Sequence, residues 1–458
     1  MVDAVSVGPP SATLSARKRW WANARTSFFW MVMVAFGVRF GYIVVGHTYR
    51  FHSNKQALAV RAEEKNFDFG FEMGRIGRSL AQGQGFSNPF NETTGPTAWE
   101  PPLYPFLIAA VFRVFGVYSR ASAIFLLSIN SIFSALTCIP IFLIAKRCFS
   151  EKVAVGTSWT WALLPSVIFW CTRWVWETSL AALLLALLFW RTLEMEERDG
   201  LSPWLWFGLL WGIAVLTNTA LLSFLPVSWL WIWYRRATLG KRSLAGIVLA
   251  SAIFVACVAP WLVRNYRVFG KVFMRSNFGA EVRLGNGSGA DGTWMDYLHP
   301  TKNTAEMRRY RELGELAYVD ERKREAMAYI REDPARFASL SLKRLIYYWS
   351  GVPKASDDFR AAHFGNSLFL ASSVLAFWGL GRALRKQWPG AWLFFWLMLS
   401  YPLAYYFVFP LPRYRHPIEP ELGILIVYVI SEVEGRGWSR HKSSIRQSSN
   451  NVDPHLLA

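Results

Sequence analysis

Long apolar runs separated by short basic segments set the pattern of this chain. The clearest runs are 28–46, 121–145, 153–171, 176–190, 204–217, 220–234, 244–263, 367–380, 391–409 and 422–430. A helix that crosses a bilayer needs roughly 17 to 25 mostly apolar residues, so the longer runs span unaided and the shorter ones need flanking residues to complete a crossing. The pattern predicts an all-α polytopic membrane protein of about ten transmembrane helices with further helices in its outer loops. Two long segments interrupt the series, 47–118 and 264–343. Within the first, 102–117 is apolar and is expected as a re-entrant or interfacial helix.

Composition changes this picture little, but charge orients it. The chain has 458 residues, 53% of them hydrophobic, and a formal net charge of +19. In a soluble protein that charge would suggest nucleic acid. Here the basic residues cluster between apolar runs, at Arg17 to Arg19, Lys146-Arg147, Arg235-Arg236, Lys241-Arg242, Arg382, Arg385-Lys386 and Arg436 to Arg446. Lysine and arginine are enriched on the cytoplasmic side of membrane proteins, so these segments read as cytoplasmic and no nucleic-acid partner is expected. Both termini then face the cytoplasm, and 47–118 and 264–343 face outward. The expected organisation is a cytoplasmic segment 1–27, a multi-pass domain 28–435 and a disordered cytoplasmic tail 436–458. No cleavage site follows the polar N-terminus, so the first apolar run reads as a retained anchor. Cys138, Cys148, Cys171 and Cys257 lie in or beside spans without CxxC spacing, which argues against a disulfide framework or a metal knuckle.

Candidate chemistry concentrates in the outer segments. Phe69, Met73, Ile76 and Leu80 repeat at helical spacing, while Asp68, Glu72, Arg75 and Ser79 fall on another face. That describes an amphipathic helix lying in the membrane interface, with the carboxylates Asp68 and Glu72 beside it. Glu72 could simply pair with Arg75 or Arg78 on a solvated face. Against that stands Arg39, a charge within the first span, which suggests a polar cavity leading to this loop. Glu177 opens a later run behind the aromatic Trp174-Val-Trp176, where it could serve either chemistry or the dipole of the helix that follows. On the outer side Arg413 and Arg415 flank Tyr414 against the positive-inside bias, and Arg264 ends the 244–263 run, where it could also merely snorkel. Guanidinium groups suit a departing phosphate because they form forked, charge-assisted hydrogen bonds. The Gly/Asn-rich stretches around Ser276-Asn277 and Gly285-Asn286 are expected as loop. Helices are expected at 304–316, at 320–332 with Asp320 as N-cap, and at 334–349 with Pro334 in the first turn, forming a cap or a lid. His47, His52, His363 and His416 show no paired metal-ligand spacing, and no metal is expected.

These motifs, in order, resemble a family. Glu72-Met-Gly-Arg-Ile-Gly-Arg-Ser-Leu-Ala-Gln-Gly-Gln-Gly-Phe86, Pro101-Pro-Leu-Tyr-Pro-Phe-Leu-Ile-Ala109, Trp176-Glu-Thr178, Pro260-Trp-Leu-Val-Arg-Asn265, Gly285-Asn286 and Arg413-Tyr-Arg-His-Pro417 are similar to the signature of bacterial C-type (GT-C fold) glycosyltransferases. Those are polytopic relatives of protein O-mannosyltransferases and of the lipid A aminoarabinose transferase. The resemblance implies transfer of a sugar from a polyprenyl-phosphate donor to a glycan, lipid or protein acceptor on the outer face of the bacterial cytoplasmic membrane, without a cofactor. It implies catalytic roles for Glu72, Asp68 and Glu177, donor-phosphate binding by Arg264, Arg413 and Arg415, and substrate contacts from Tyr104, Asn265, Asn286 and His416. Asp68 and Glu72 both remain open as the base, with register favouring Glu72. A transporter of sugars or lipid-linked intermediates is the alternative, but a pair of midspan broken helices in inverted repeats is not evident.

Overall fold

The structure, a computed structural model, describes residues 23, 25–51, 67–90, 92–353 and 359–450. The basic cluster Arg17 to Arg19 and His52 lie outside the described residues, as does the side chain of His363. Apart from an isolated bridge between Ser87 and Pro96, the regular elements described are helices. Four of them are long and apolar enough to cross a membrane: Phe28–Val45, Arg120–Cys148, Leu244–Phe269 and Gly365–Arg385. A fifth crossing arises if Glu151–Leu163 and Pro165–Arg173, bent by 46°, are taken as one broken span. Most of the remaining apolar runs form shorter helices, such as Thr178–Glu194 with 17 residues, Ser202–Thr217 with 16 and Leu225–Thr238 with 14. The expected re-entrant segment is the helix Leu103–Phe115.

Close packing of these helices depends on small residues. Gly208 and Gly212, one turn apart, face the Leu244–Phe269 helix. A Cβ on Gly208 would lie 2.4 Å from the Ala250 carbonyl oxygen, and one on Gly212 2.4 Å from the Ala250 helix's Cys257 Cβ. Lipid tails give helices no hydrophobic reason to associate, so backbone approach of this kind carries the contact.

Arg39 corrects an expectation. Expected beside a polar cavity, it is fully buried and spends its donors on the break in the bent span. Pro165 has no N–H to give the Trp161 carbonyl one turn back, and in a membrane an orphaned carbonyl is costly. Arg39 donates to the carbonyls of Trp161 at 3.0 Å and Ala162 at 2.7 Å, and through Nε to Ser134 Oγ at 3.1 Å.

The outer segments fold together. Thr304–Leu313, Glu315–Glu332 and Pro334–Ser350 form the helical cap, with Asp333 accepting from the Arg336 amide at its third helix. Asp320 lies within the second helix and caps nothing, because that helix begins after Gly314. Glu315 fastens the cap to the first outer loop: its carboxylate accepts from Thr97 Oγ1, from the Ala98 amide at 2.7 Å, from Ser276 Oγ at 2.7 Å and from Tyr310 at 2.8 Å. The stretch expected as Gly/Asn-rich loop is the helix Phe278–Asn286. At the other end of the chain, the helix Glu419–Asn450 runs on through most of the segment expected to be a disordered tail.

Candidate active site

Glu72 begins the helix Glu72–Ala81, and the turn before it decides where its carboxylate goes. Gly70 and Phe71 both have positive φ, 89° and 45°. Gly70 cannot be replaced without displacing backbone, since a Cβ there would lie 2.3 Å from the Val175 carbonyl oxygen. Val175 in turn donates to the Asp68 carbonyl at 2.9 Å. This tight turn sends Asp68 to one side and Glu72 to the other, so the two acids expected as a pair line different cavities. The helix is also not interfacial in the expected sense: Glu72, Arg75 and Ser79 are buried together with Met73 and Ile76.

The Glu72 cavity has a volume of about 290 Å³. Its acidic members are Glu72, Glu100 and Glu281, its basic ones Arg275, Lys302, Arg413 and His299, and its walls are aromatic, with Trp99, Trp170, Trp174, Trp176 and Trp294 among them. Sugars present C–H faces to aromatic rings and hydroxyls to charged groups, so such a lining suits a carbohydrate. Arg413 lies 3.8 Å from the centre of the Trp176 ring, a cation–π contact, and is hydrogen-bonded to Tyr414 beside the open volume. Arg275 donates to Glu100 at 2.8 Å and to the Trp99 carbonyl at 2.7 Å.

His299 faces the base candidate. Its Nδ1 accepts from the Thr301 amide at 3.3 Å, which leaves the proton on Nε2, 3.5 Å from Glu72 Oε1. Burial lowers the basicity of this imidazole, with Glu72 opposing the effect. The ring thus presents its Nε2 side to the carboxylate. Burial also pushes Glu100 up to about 8 in spite of Arg275, with Glu72 and Glu177 adding to the rise, and it raises Glu281. Two of the cavity's carboxyl groups, Glu100 and Glu281, are thus shifted upward by burial, and perturbed groups of this kind are frequent at functional sites.

The other expected site residues are distributed unevenly. Glu177 stands just behind the cavity, with Oε1 accepting from Asn218 at 3.1 Å and Oε2 buried without a partner. Arg264 donates to the carbonyls of Thr97 at 2.7 Å and Phe86 at 2.9 Å and stacks over Trp261, holding the first outer loop to its helix. Arg415 is buried against Ser372, Ser373 and Glu419, and His416 is 2.7 Å from Glu419 and stacked on Trp161. Tyr104 donates to Asn130 at 2.8 Å; Asn265 donates to the Phe273 carbonyl, and Asn286 to those of Val282 and Phe407. None of these last six lines the cavity. Conversely Glu100, Arg275, Glu281, His299 and Lys302 were not expected there. The Trp99-Glu100-Pro-Pro run was the one available signal, since an acid between a tryptophan and a proline pair has no helical role. Among the described residues no group of three or more His, Cys, Asp or Glu side chains is placed to hold a metal ion.

Comparison with known proteins bears on the fold and on one segment. Residues 99–263 match the family described as dolichyl-phosphate-mannose-protein mannosyltransferase. No curated protein matches the chain by sequence. Among solved structures, the archaeal oligosaccharyltransferase AglB from Archaeoglobus fulgidus, in complex with an inhibitory peptide and a dolichol-phosphate, aligns over 96% of this chain with 13% identity and a TM-score of 0.53. This chain spans about half of that one, 53% of its length. ArnT from Cupriavidus metallidurans in the apo state aligns over 84% of this chain and 76% of its own at 13% identity, with a TM-score of 0.32.

Proposed function

We propose that this chain, which carries the sequence of the dolichyl-phosphate-mannose-protein mannosyltransferase family over residues 99–263, is a membrane glycosyltransferase whose active site is the Glu72 cavity. It transfers a sugar from a polyprenyl-phosphate donor to an acceptor hydroxyl, by direct displacement with inversion at the anomeric carbon. Glu72 takes the acceptor proton as the new C–O bond forms and the bond to the donor phosphate breaks. His299 holds the Glu72 carboxylate by its Nε2–H and leaves the lone pair needed for that proton free. Arg413 receives the charge that develops on the leaving phosphate, an interaction that strengthens as the bond breaks. The single observation that supports this reading best is the meeting of Glu72 and Arg413, from opposite ends of the sequence, in one aromatic-walled cavity.

The distribution of Lys and Arg supports an orientation in the bacterial cytoplasmic membrane with the cavity on the outer face. The helices shorter than a full span complete the roughly ten crossings, joined to flanking residues or met by a locally thinned bilayer. A reporter inserted at Gly289 should accordingly read outside and one fused after Lys386 cytoplasmic; the reverse pair would overturn the orientation.

Glu72→Gln keeps shape and hydrogen-bonding capacity but cannot take a proton. Transfer from a polyprenyl-phosphate sugar should fall by about a hundredfold or more while donor binding, measured by its protection against thermal unfolding, is retained. Near-normal transfer by this variant would remove Glu72 from the mechanism. Asp68→Asn, on the far side of the turn, should cost less.

A further inference from the structure

A second cavity, of about 380 Å³, opens on the other side of Trp174, and Trp174 lines both. Its polar wall comes from the turn after the first span, with His47, Thr48 and Arg50, from Asp68, and from Arg173 at the end of the Pro165–Arg173 helix. The tight turn from Asp68 to Glu72 separates the two spaces, so each cavity receives one of the two acids.

Three observations point to a ligand here. Arg50 and Arg173 both reach this space, and neither forms an ion pair with a described residue; each instead has an aromatic ring near its guanidinium, Tyr49 at 5.8 Å and Phe169 at 5.7 Å. Among the described residues that line this space, Asp68 is the carboxylate. Thr48 is 7% exposed and its Oγ1 has no hydrogen-bond partner, which is unusual for a buried hydroxyl unless something supplies one. His47 is held at φ 48°, a left-handed conformation that costs energy in a residue with a Cβ and that concentrates at ligand sites.

The position of the cavity narrows the ligand further. It lies at the ends of two spanning segments, beside Val44 and Val45, which are 43% and 81% exposed, and beside Phe169, 38% exposed. In a bilayer those apolar surfaces meet lipid chains, while the guanidinium groups stand at headgroup depth. A soluble anion would gain nothing from them; an anion attached to a lipid would gain on both counts.

We propose that this second cavity binds the phosphate-bearing headgroup of a lipid, and that this lipid is the acceptor, presented across the Trp174 wall to the donor held beside Arg413. The assignment of the lipid as acceptor rests on the glycosyltransferase reading; the binding site itself does not. Arg50 and Arg173 neutralise the headgroup phosphate, and Thr48 donates its unused hydroxyl to it.

The test is retention of lipid by the full-length protein, read by native mass spectrometry after exchange into nanodiscs that contain phosphatidic acid and phosphatidylcholine in equal amounts. The wild type should retain phosphatidic acid preferentially. Arg50→Gln with Arg173→Gln should lower that preference about tenfold, and Thr48→Val, isosteric and without a donor, several-fold. Equal retention of the two lipids by the wild type, or undiminished preference in the double variant, would overturn the site. Displacement of phosphatidic acid by an equal concentration of inorganic phosphate would overturn its lipid character. Loss of the preference with transfer to the natural acceptor intact would refute the acceptor assignment alone, whereas normal transfer by Glu72→Gln with the preference intact would refute the glycosyltransferase mechanism alone.

Discussion

Arg39, inside the helix bundle, and Arg413, at the cavity, are both drawn away from bulk water, yet their surroundings differ in kind. Arg39 has its donors taken up by the Ala35, Trp161 and Ala162 carbonyls and by Ser134. Arg413 rests on an aromatic ring beside open volume, within the electrostatic reach of Glu177 and Glu72. A guanidinium enclosed by carbonyls closes a structure, whereas one held at the edge of a cavity by Tyr414 and Trp176 is placed for a substrate. A related contrast divides Arg413 from Arg415, two residues on, whose two terminal nitrogens bond Ser372, Ser373 and the Phe369 carbonyl while its Nε is buried without a partner.

The comparison breaks most sharply at these two arginines. Arg413→Met should lower transfer by about a hundred- to a thousandfold, the cost of removing a preorganised donor aimed at developing charge. Thermal stability in detergent should barely change. Arg415→Met should do the opposite, lowering the unfolding temperature while the molecules that remain folded transfer sugar at a rate within about tenfold of normal. Equal losses of rate in the two variants would mean that burial and bonding do not distinguish the roles of these residues.

Arg39→Met tests the structural side. It leaves the carbonyls of Trp161 and Ala162 unsatisfied at the Pro165 break, at a cost of about 3 kcal/mol in total. A matched variant, Arg39→Met with Pro165→Ala, restores the missing backbone donor and should recover part of that loss. If the double variant is no more stable than the single one, Arg39 does not serve the break.

Much of the architecture was legible in the sequence because membrane helices are written in a strong code. Apolar runs marked the bundle, and the order of motifs pointed to the fold. The chemistry was harder to read, for a physical reason visible in particular residues. Position relative to the spans predicted that Arg264, Arg413 and Arg415 share one face, which says nothing about direction; the short helix Pro412–Ile418 turns Arg413 toward the cavity and Arg415 away from it. Asp68 and Glu72 were expected on one helical face, and the positive φ of Gly70 and Phe71 separates them. His299, Arg275 and Glu281 come from a segment whose contacts with the first loop are set by tertiary docking through Glu315, which no local periodicity reports. The Gly/Asn composition at Asn277 to Asn286 suggested a loop, but packing against the cap helix Glu315–Glu332, where a Cβ on Gly279 would lie 2.5 Å from the Val319 carbonyl oxygen, supports a helix there.

The smallest effect concerns Glu100, which belongs to both sides of the comparison: it lines the cavity yet is paired with Arg275. Burial holds its proton to about pH 8, against about 4.5 for the unperturbed group. Between those values the folded protein binds a proton that the unfolded chain has lost, so this group's contribution to stability is complete below about 4.5 and declines as pH rises through about 8. The wild type should therefore lose unfolding temperature between about pH 5 and about pH 8, by a few degrees, and level off above that. Glu100→Gln, which cannot ionise but can still accept from Arg275, should flatten that part of the profile and leave the Arg39→Met deficit unchanged, since the two sites share no partner. A profile equally steep in the variant would show that Glu100 is already ionised at neutral pH and that Arg275 outweighs the burial, which would move this carboxylate from the cavity's titrating set to its satisfied ones.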